Sequence, residues 1–272
     1  MFRPSEIIIS AFINSLIEDF EAQFGEHHPI KVQLKDCAKM ILSHYTLSDA
    51  LYHNLDHTLV VTGVGKDLIN GKRVAEGHVS ASQWFNFIIA CLVTNIGFVR
   101  GIFPQDKGLQ VLADAEHNIE LPKGSTSGAL WPLANARSQH FVRTRLNDIP
   151  ELDVEAVASW VAMGNFPSPN KLTQGDQSWG ATLQAAKLIG VVADPNFTVK
   201  TRRLILELKE AKIEHFIAHN NVREFRAAYP SYFWQNIYPL IAGACRYLNY
   251  TSNGLEWLAI MHGHLLTDEH NL

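Results

Sequence analysis

Apolar residues recur at spacings of three to five along nearly the whole chain, and this period constrains the fold more than any other feature. Ile7, Phe12, Ile13, Leu16, Ile17 and Phe20 fall on one face of a helix. The same pattern predicts a second helix over 32–44. A third, capped by Ser48 or Asp49, runs from about Tyr52 to Asn70 and ends at Gly71. Ser80 or Ser82 caps a fourth, with Trp84, Phe87, Ile88, Cys91 and Leu92 on its apolar face. Further helices are expected over 133–146, 153–162, 179–194 (stopped by Pro195), 200–219 and 230–250. The last begins at Ser252 or Asn253 and ends near Leu266. Residues 121–128 and the longer stretch 164–180, with Pro167, Pro169 and Gly175, read as loops; a loop of that length often carries function. No alternating strand pattern of useful length and no repeat occurs. The expectation is one all-α domain over 1–272, its core at about 50–200 and its C-terminal helices, 200–266, packed on that core.

Composition narrows the function classes. At 47% hydrophobic and 18% charged, the 272-residue chain has the means to bury a sizeable core and is not disordered in type. Its 23 basic and 27 acidic residues form no basic stripe, so nucleic acid is not an expected partner. Three scattered cysteines, Cys37, Cys91 and Cys245, make no disulfide framework and suit a reducing cytoplasm. The N-terminus carries Glu6 and does not read as a targeting signal. No stretch reads as the roughly 18–20 apolar residues of a membrane span, so no membrane partner is expected. Thirteen histidines direct attention to imidazole chemistry.

His53 and His57 lie four apart, on one face of the expected third helix, and that face continues through Val60, Val61, Val64 and Leu68. Two imidazoles at the buried end of an apolar stripe are either core histidines satisfied by backbone or water, or groups that ligate a metal or move protons.

The neighbouring residues decide the direction of the reading. Tyr52-His53-Asn54 with His57 resembles the YHNxxH signature of the HD-domain superfamily, which includes the cyclic-nucleotide phosphodiesterases. Asn95-Ile96-Gly97-Phe98-Val99-Arg100-Gly101, the segment from Ala185 to Pro195, Tyr229-Pro230 through Tyr238-Pro239, and Arg246-Tyr247-Leu248 resemble, in the same order and spacing, a bacterial branch of HD-domain phosphohydrolases. The resemblance implies an all-α helical bundle, agreeing with the periodicity. It also implies a metal held by one His of the YHNxxH helix, a His-Asp pair ending the next helix and a late Asp, with the His of YHN protonating the leaving oxygen.

On this alignment His57 is the only matching ligand, and His53 holds the position of the acid. Thr94-Asn95 replaces the His-Asp pair, and Lys187 stands where the late Asp would be. Asp194, seven residues on, shares roughly the same helix face and would be the late ligand under a shifted register. Leu133-Ala134-Asn135-Ala136-Arg137 carries alanines where relatives have a His and an Asp. One imidazole does not hold a catalytic metal. Neither metal nor another cofactor is therefore expected, and the reading is of a degenerate phosphohydrolase-like protein.

Such a protein would bind a phosphate- or nucleotide-like small anion, or a protein partner, through His53, Asn54, His57, Thr94, Asn95, Arg100, Lys187 and Asp194, with Arg137 alongside. In the opposing reading Lys187 simply pairs with Asp56 or Asp194 and fills a dead site. Two alternatives stand. One is a working metal-dependent phosphohydrolase in which Asp56, Asp106, Asp194 or a partner subunit supplies the missing ligands. The other is a structural or assembly subunit.

Other motifs point less far. His215 and His219 have zincin spacing, but Phe216 occupies the position of the catalytic Glu. Their helix, with Arg202, Arg203, Glu207, Lys209, Glu210, Lys212 and Glu214, reads as a solvated face. His262, His264 and His270 would bind Ni or Zn only adventitiously. Lys123-Gly124-Ser125-Thr126 lacks the rest of a P-loop, and neither GxSxG nor GxGxxG occurs. Tyr229, Tyr232, Phe233, Trp234 and Tyr238 are helix core or a contact in a homo-oligomer.

Overall fold

A computed structural model describes residues 3–164, 178–213 and 221–270. The stretch 165–177, most of the expected long loop, lies outside the described residues. So do His215 and His219 and the side chain of His270.

The fold is all-α. Helices α1 (Pro4–Phe24), α2 (Ile30–Tyr45), α3 (Leu55–Glu76) and α4 (Ala81–Val93) lead into a turn of tight helix at Ile96–Phe98. Then follow α5 (Trp131–Arg145), α6 (Val154–Met163), α7 (Trp179–Val192), α8 (Phe197–Glu210), α9 (Val222–Tyr232), α10 (Tyr238–Leu248) and α11 (Ser252–His270). Helices α3 and α7 pack against each other at the centre. On one side α1, α2, α4, α5 and α6 bury Phe20, Trp84, Phe87 and Phe141; on the other, α8 to α11 bury Phe197, Tyr229, Phe233 and Met261. These two apolar clusters hold the central pair in register by burial of surface from water.

Several expectations change for stated physical reasons. Helix α3 does not stop at Gly71. A Cβ there would lie 1.9 Å from the Tyr247 carbonyl oxygen, so the glycine lets α3 approach α10 closely, and the helix ends at Gly77 with φ 76°. Its cap is neither Ser48 nor Asp49. The Asn54 side chain accepts the His57 N–H at 3.2 Å, while Asp49 accepts the N–H and hydroxyl of Ser127. Ser80 does cap α4, in a reciprocal pair with Gln83.

The single helix expected over 230–250 is two helices joined by a wide turn at Phe233–Ile237. Pro239 stands in the first turn of α10, where its missing N–H costs nothing. A short antiparallel pair, β1 (Gln110–Leu112) with β2 (Asn118–Glu120), was invisible to periodicity because three residues are too few to show an alternation. The window Ala81–Phe98 is long and apolar enough to pass as a membrane span, contrary to the expectation that no stretch would. It is 83% buried within the fold and serves as a core helix.

Candidate functional site

The segment before α3 and its first turn bring Tyr52, His53 and Asp56 against Phe98 in the turn after α4 and against one face of α8, whose Lys200 also reaches Asp194 after α7. His53 is buried, its ring stacked on Phe98 at 4.1 Å between centroids and met edge-on by Trp131 at 4.5 Å. The His57 ring lies 5.4 Å from that of His53 and 4.4 Å from that of Tyr52. The histidine pair of the sequence is thus one cluster, walled by aromatic rings.

Two residues that the sequence reading missed organise this cluster. Glu207 is fully buried, and it is not part of a solvated face. One carboxylate oxygen accepts the backbone N–H groups of Tyr52 (2.6 Å) and His53 (3.2 Å); the other lies 2.7 Å from His53 Nδ1. A carboxylate only accepts, so Nδ1 carries the proton and a neutral His53 has its lone pair on Nε2. The second residue is Lys200, 4% exposed, whose ammonium lies 2.5 Å from both Asp56 and Asp194. Both residues sit on the buried stripe of α8 with Phe197, Leu204 and Leu208. Their separation of seven, two helical turns, was the available signal: it places two charges on the apolar face rather than the polar one.

The opposing reading of Lys187 is corrected by this arrangement. Asp56 and Asp194 are paired, but with Lys200. Among the described residues Lys187 makes no ion pair and no hydrogen bond. Burial pulls its amine down to about 8, and its charge reaches His53 and His57. Burial also holds both imidazoles below the ordinary 6.5, His57 well below it. For His57 the fields of His53, Lys200 and Lys187 act in the same direction, whereas Glu207 opposes the shift at His53. Burial raises the Tyr52 phenol, aided by Tyr229, Asp194 and Glu207 nearby.

Among the described residues, the buried Tyr52 Oη and His57 Nδ1 have no hydrogen-bond partner, and the same holds for Thr94 Oγ1 and Asn95 Nδ2.

The other predicted residues divide clearly. Asn54 is a helix cap. Arg100 donates to the Ser125 carbonyl at 2.5 Å and acts on Asp49, which keeps it engaged with the 121–128 segment. Arg137 is fully buried and spent: it donates to the carbonyls of Gly97, Val99 and Leu112 and pairs with Asp106 at 3.0 Å. It is a tie between α5 and the turn after α4, not a wall of the site. Asp106 is thereby committed too, and the three carboxylates that might have completed a metal site, Asp56, Asp106 and Asp194, each face a cation. Among the described residues no three His, Cys, Asp or Glu side chains are grouped to hold a metal. His264 is engaged in the packing, its Nδ1–H donating to the Val192 carbonyl at 2.7 Å.

A family model described as Npun_R2479-like matches residues 2–271. The chain belongs to the Npun_R2479-like family. No curated protein and no solved structure matches it. Membership spans both halves of the fold, so the α8 residues Lys200 and Glu207 lie within the matched region, as do the histidines.

Proposed function

We propose that this chain is a non-catalytic relative of the HD-domain phosphohydrolases that binds a small anion at the cluster around His53 and His57. The observation that carries the reading is Lys187. It is a cation without a carboxylate among the described residues, its field felt by both imidazoles. The carboxylates that would have neutralised it are held by Lys200. A lysine with no carboxylate partner suits an anion.

The HD-type reading rests on the resemblance of the motifs, and the absence of chemistry rests on the replaced ligand positions. Against the working-hydrolase alternative stands the commitment of Asp56, Asp106 and Asp194 to lysine and arginine partners.

The test joins two measurements. Purified protein is offered Mn, Fe, Zn and Mg, its metal content is determined, and phosphate-ester turnover is assayed with each metal. No stoichiometric metal and no turnover above the uncatalysed rate are expected. A small anion is expected to raise the melting temperature, an effect lost in Lys187→Met. Stoichiometric metal that disappears in His57→Ala would overturn the reading in favour of a metallohydrolase.

A further inference from the structure

The hairpin of β1 and β2 closes one of its edges and leaves the other open. The Ala113 N–H donates to the His117 carbonyl at 2.8 Å, and the Leu121 N–H donates to the Leu109 carbonyl at 2.9 Å. Val111 stands opposite Ile119 between them. The alternation of an antiparallel ladder therefore turns the backbone groups of Leu109, Val111 and Ala113 toward β2 and those of Gln110 and Leu112 outward. On β2 it turns His117, Ile119 and Leu121 inward, and Asn118 and Glu120 outward.

The outward groups of β1 are all taken. Gln110 exchanges both backbone bonds with Lys107, at 2.8 Å and 3.0 Å. The Leu112 N–H donates to Asp106 at 2.9 Å, and the Leu112 carbonyl accepts from Arg137. On β2, by contrast, the N–H and carbonyl of Asn118 and of Glu120 meet no partner among the described residues, and every residue of the strand is exposed. Such a row of unpaired backbone groups is a template for a further strand.

The side chains along this edge say what that strand would carry. Ile119 shares a face with its opposite number Val111, which is buried with Leu121 and Leu130, and Ile119 is left exposed at the margin of that apolar cluster. Asn118 and Glu120 lie on the other face. Glu116, in the turn before the strand, adds a second carboxylate, while Asp114 in the same turn is bonded to His117. Glu116 and Glu120 are exposed and form no ion pair among the described residues. Lys123 sits beyond Pro122, past the end of the strand, and Lys107 lies on the closed edge. A second copy of this chain is a poor occupant. Antiparallel pairing of the outward residues would set Glu120 opposite Glu116 or Glu120 of the other copy, or diagonal to its Glu120, and like charges so placed repel.

We propose that the free edge of β2 takes up an extended basic peptide segment of another protein as a third strand. Its backbone pairs with Asn118 and Glu120, an apolar side chain lies beside Ile119, and lysine or arginine side chains alternate with it on the face of Glu120. The surface is separate from the histidine cluster and does not depend on the anion reading.

The test titrates the full chain with three fluorescein-labelled peptides at constant ionic strength and reads anisotropy. The first is Lys-Val-Lys-Val-Lys-Val-Lys. The second is the same peptide N-methylated throughout, which keeps the charge and removes the backbone donors. The third has Glu in place of each Lys. Saturable binding of the first is expected, about tenfold weaker binding of the second through the lost backbone bonds, and none of the third. Glu120→Pro removes one outward donor and one carboxylate, and it leaves the β1–β2 bonds alone because that N–H faces away from β1. It should weaken the first peptide about tenfold. Equal binding of the N-methylated peptide would show attraction of charge without strand addition and overturn the proposal, as would equal binding of the acidic one. Binding of none of them overturns it too and makes Glu120 a guard against pairing. A dimer in sedimentation that Glu120→Pro abolishes would make the second copy the occupant instead. The peptide comparison on the parent chain stands even if Glu120→Pro does not fold.

Discussion

Glu207 Oε2 lies 2.7 Å from His53 Nδ1 across 154 residues of sequence, with both side chains buried. Among the described residues no lysine or arginine pairs with this carboxylate; two backbone N–H groups and one imidazole satisfy it. The contact therefore fixes the tautomer of His53 and ties α8 to the segment before α3 in one stroke. Glu207→Gln keeps the shape but loses the charge, and it should cost about 1.5–3 kcal/mol, the range for a hydrogen bond to a charged group. Urea denaturation measures this, and an unchanged midpoint would show that the contact contributes nothing.

Lys200 sets a sharper case, because its partner Asp194 is buried and has no water to fall back on. Lys200→Met should destabilise by about 3–5 kcal/mol through the stranded charge. Adding Asp194→Asn removes that charge and should return a large part of the loss. A double-mutant cycle by chemical denaturation reads the coupling directly; additive single effects would deny it.

What was legible in the chain follows from where each signal was local. The helices showed themselves because an apolar stripe such as Ile13, Leu16 and Phe20 repeats within a few residues. The histidine pair showed itself because a spacing of four closes on one face. Glu207 and Lys200 were hidden because burial of a charge depends on what packs over it, and those partners sit some 140 to 155 residues away for Asp56, Tyr52 and His53. Gly71 misled in the opposite sense: a glycine ends helices by default, and only the Tyr247 carbonyl against it shows why this one stays inside. Arg137 looked like a free cation for the same reason that Glu207 looked solvated, since its acceptors are mostly backbone carbonyls, which every sequence has.

Gly97 makes a second close approach. A Cβ there would fall 1.9 Å from the Ala134 carbonyl oxygen, while the Gly97 carbonyl and N–H hold Arg137 and Ser138. Gly97→Ala must push α5 away from the turn after α4 and loosen the Arg137 tie. A loss of at least about 1–3 kcal/mol is expected, the range for overpacking. A melting curve matching the parent would show that the two elements separate freely.

The imidazoles make stability depend on pH with a definite sign. His57, His53 and His44 are each held below the ordinary 6.5, burial being the largest cause. Above 6.5 they are neutral in both folded and unfolded chains, so they contribute no slope. As pH falls below 6.5 the unfolded chain takes up protons that the folded one refuses, and the folded state loses ground. Each such imidazole contributes a slope of up to about 1.4 kcal/mol per pH unit. Denaturation midpoints measured from pH 7.5 down to about 5 should fall, and His57→Gln should flatten part of that fall. A profile level through this window, or one that rises toward acid, would contradict the burial of neutral histidines.

Lys187 completes the argument, because a residue that serves a ligand often costs the fold something. Its amine is drawn down to about 8 by burial and finds no carboxylate among the described residues. Methionine fills a similar volume without a charge to desolvate. Lys187→Met should therefore gain about 0.5–2 kcal/mol in the absence of ligand, the range of stabilising changes at functional positions. The same variant should lose the rise in melting temperature that a bound anion gives the parent. Opposite signs in the two measurements are what a binding residue produces. A variant that is less stable, with its ligand response intact, would make Lys187 a structural residue instead.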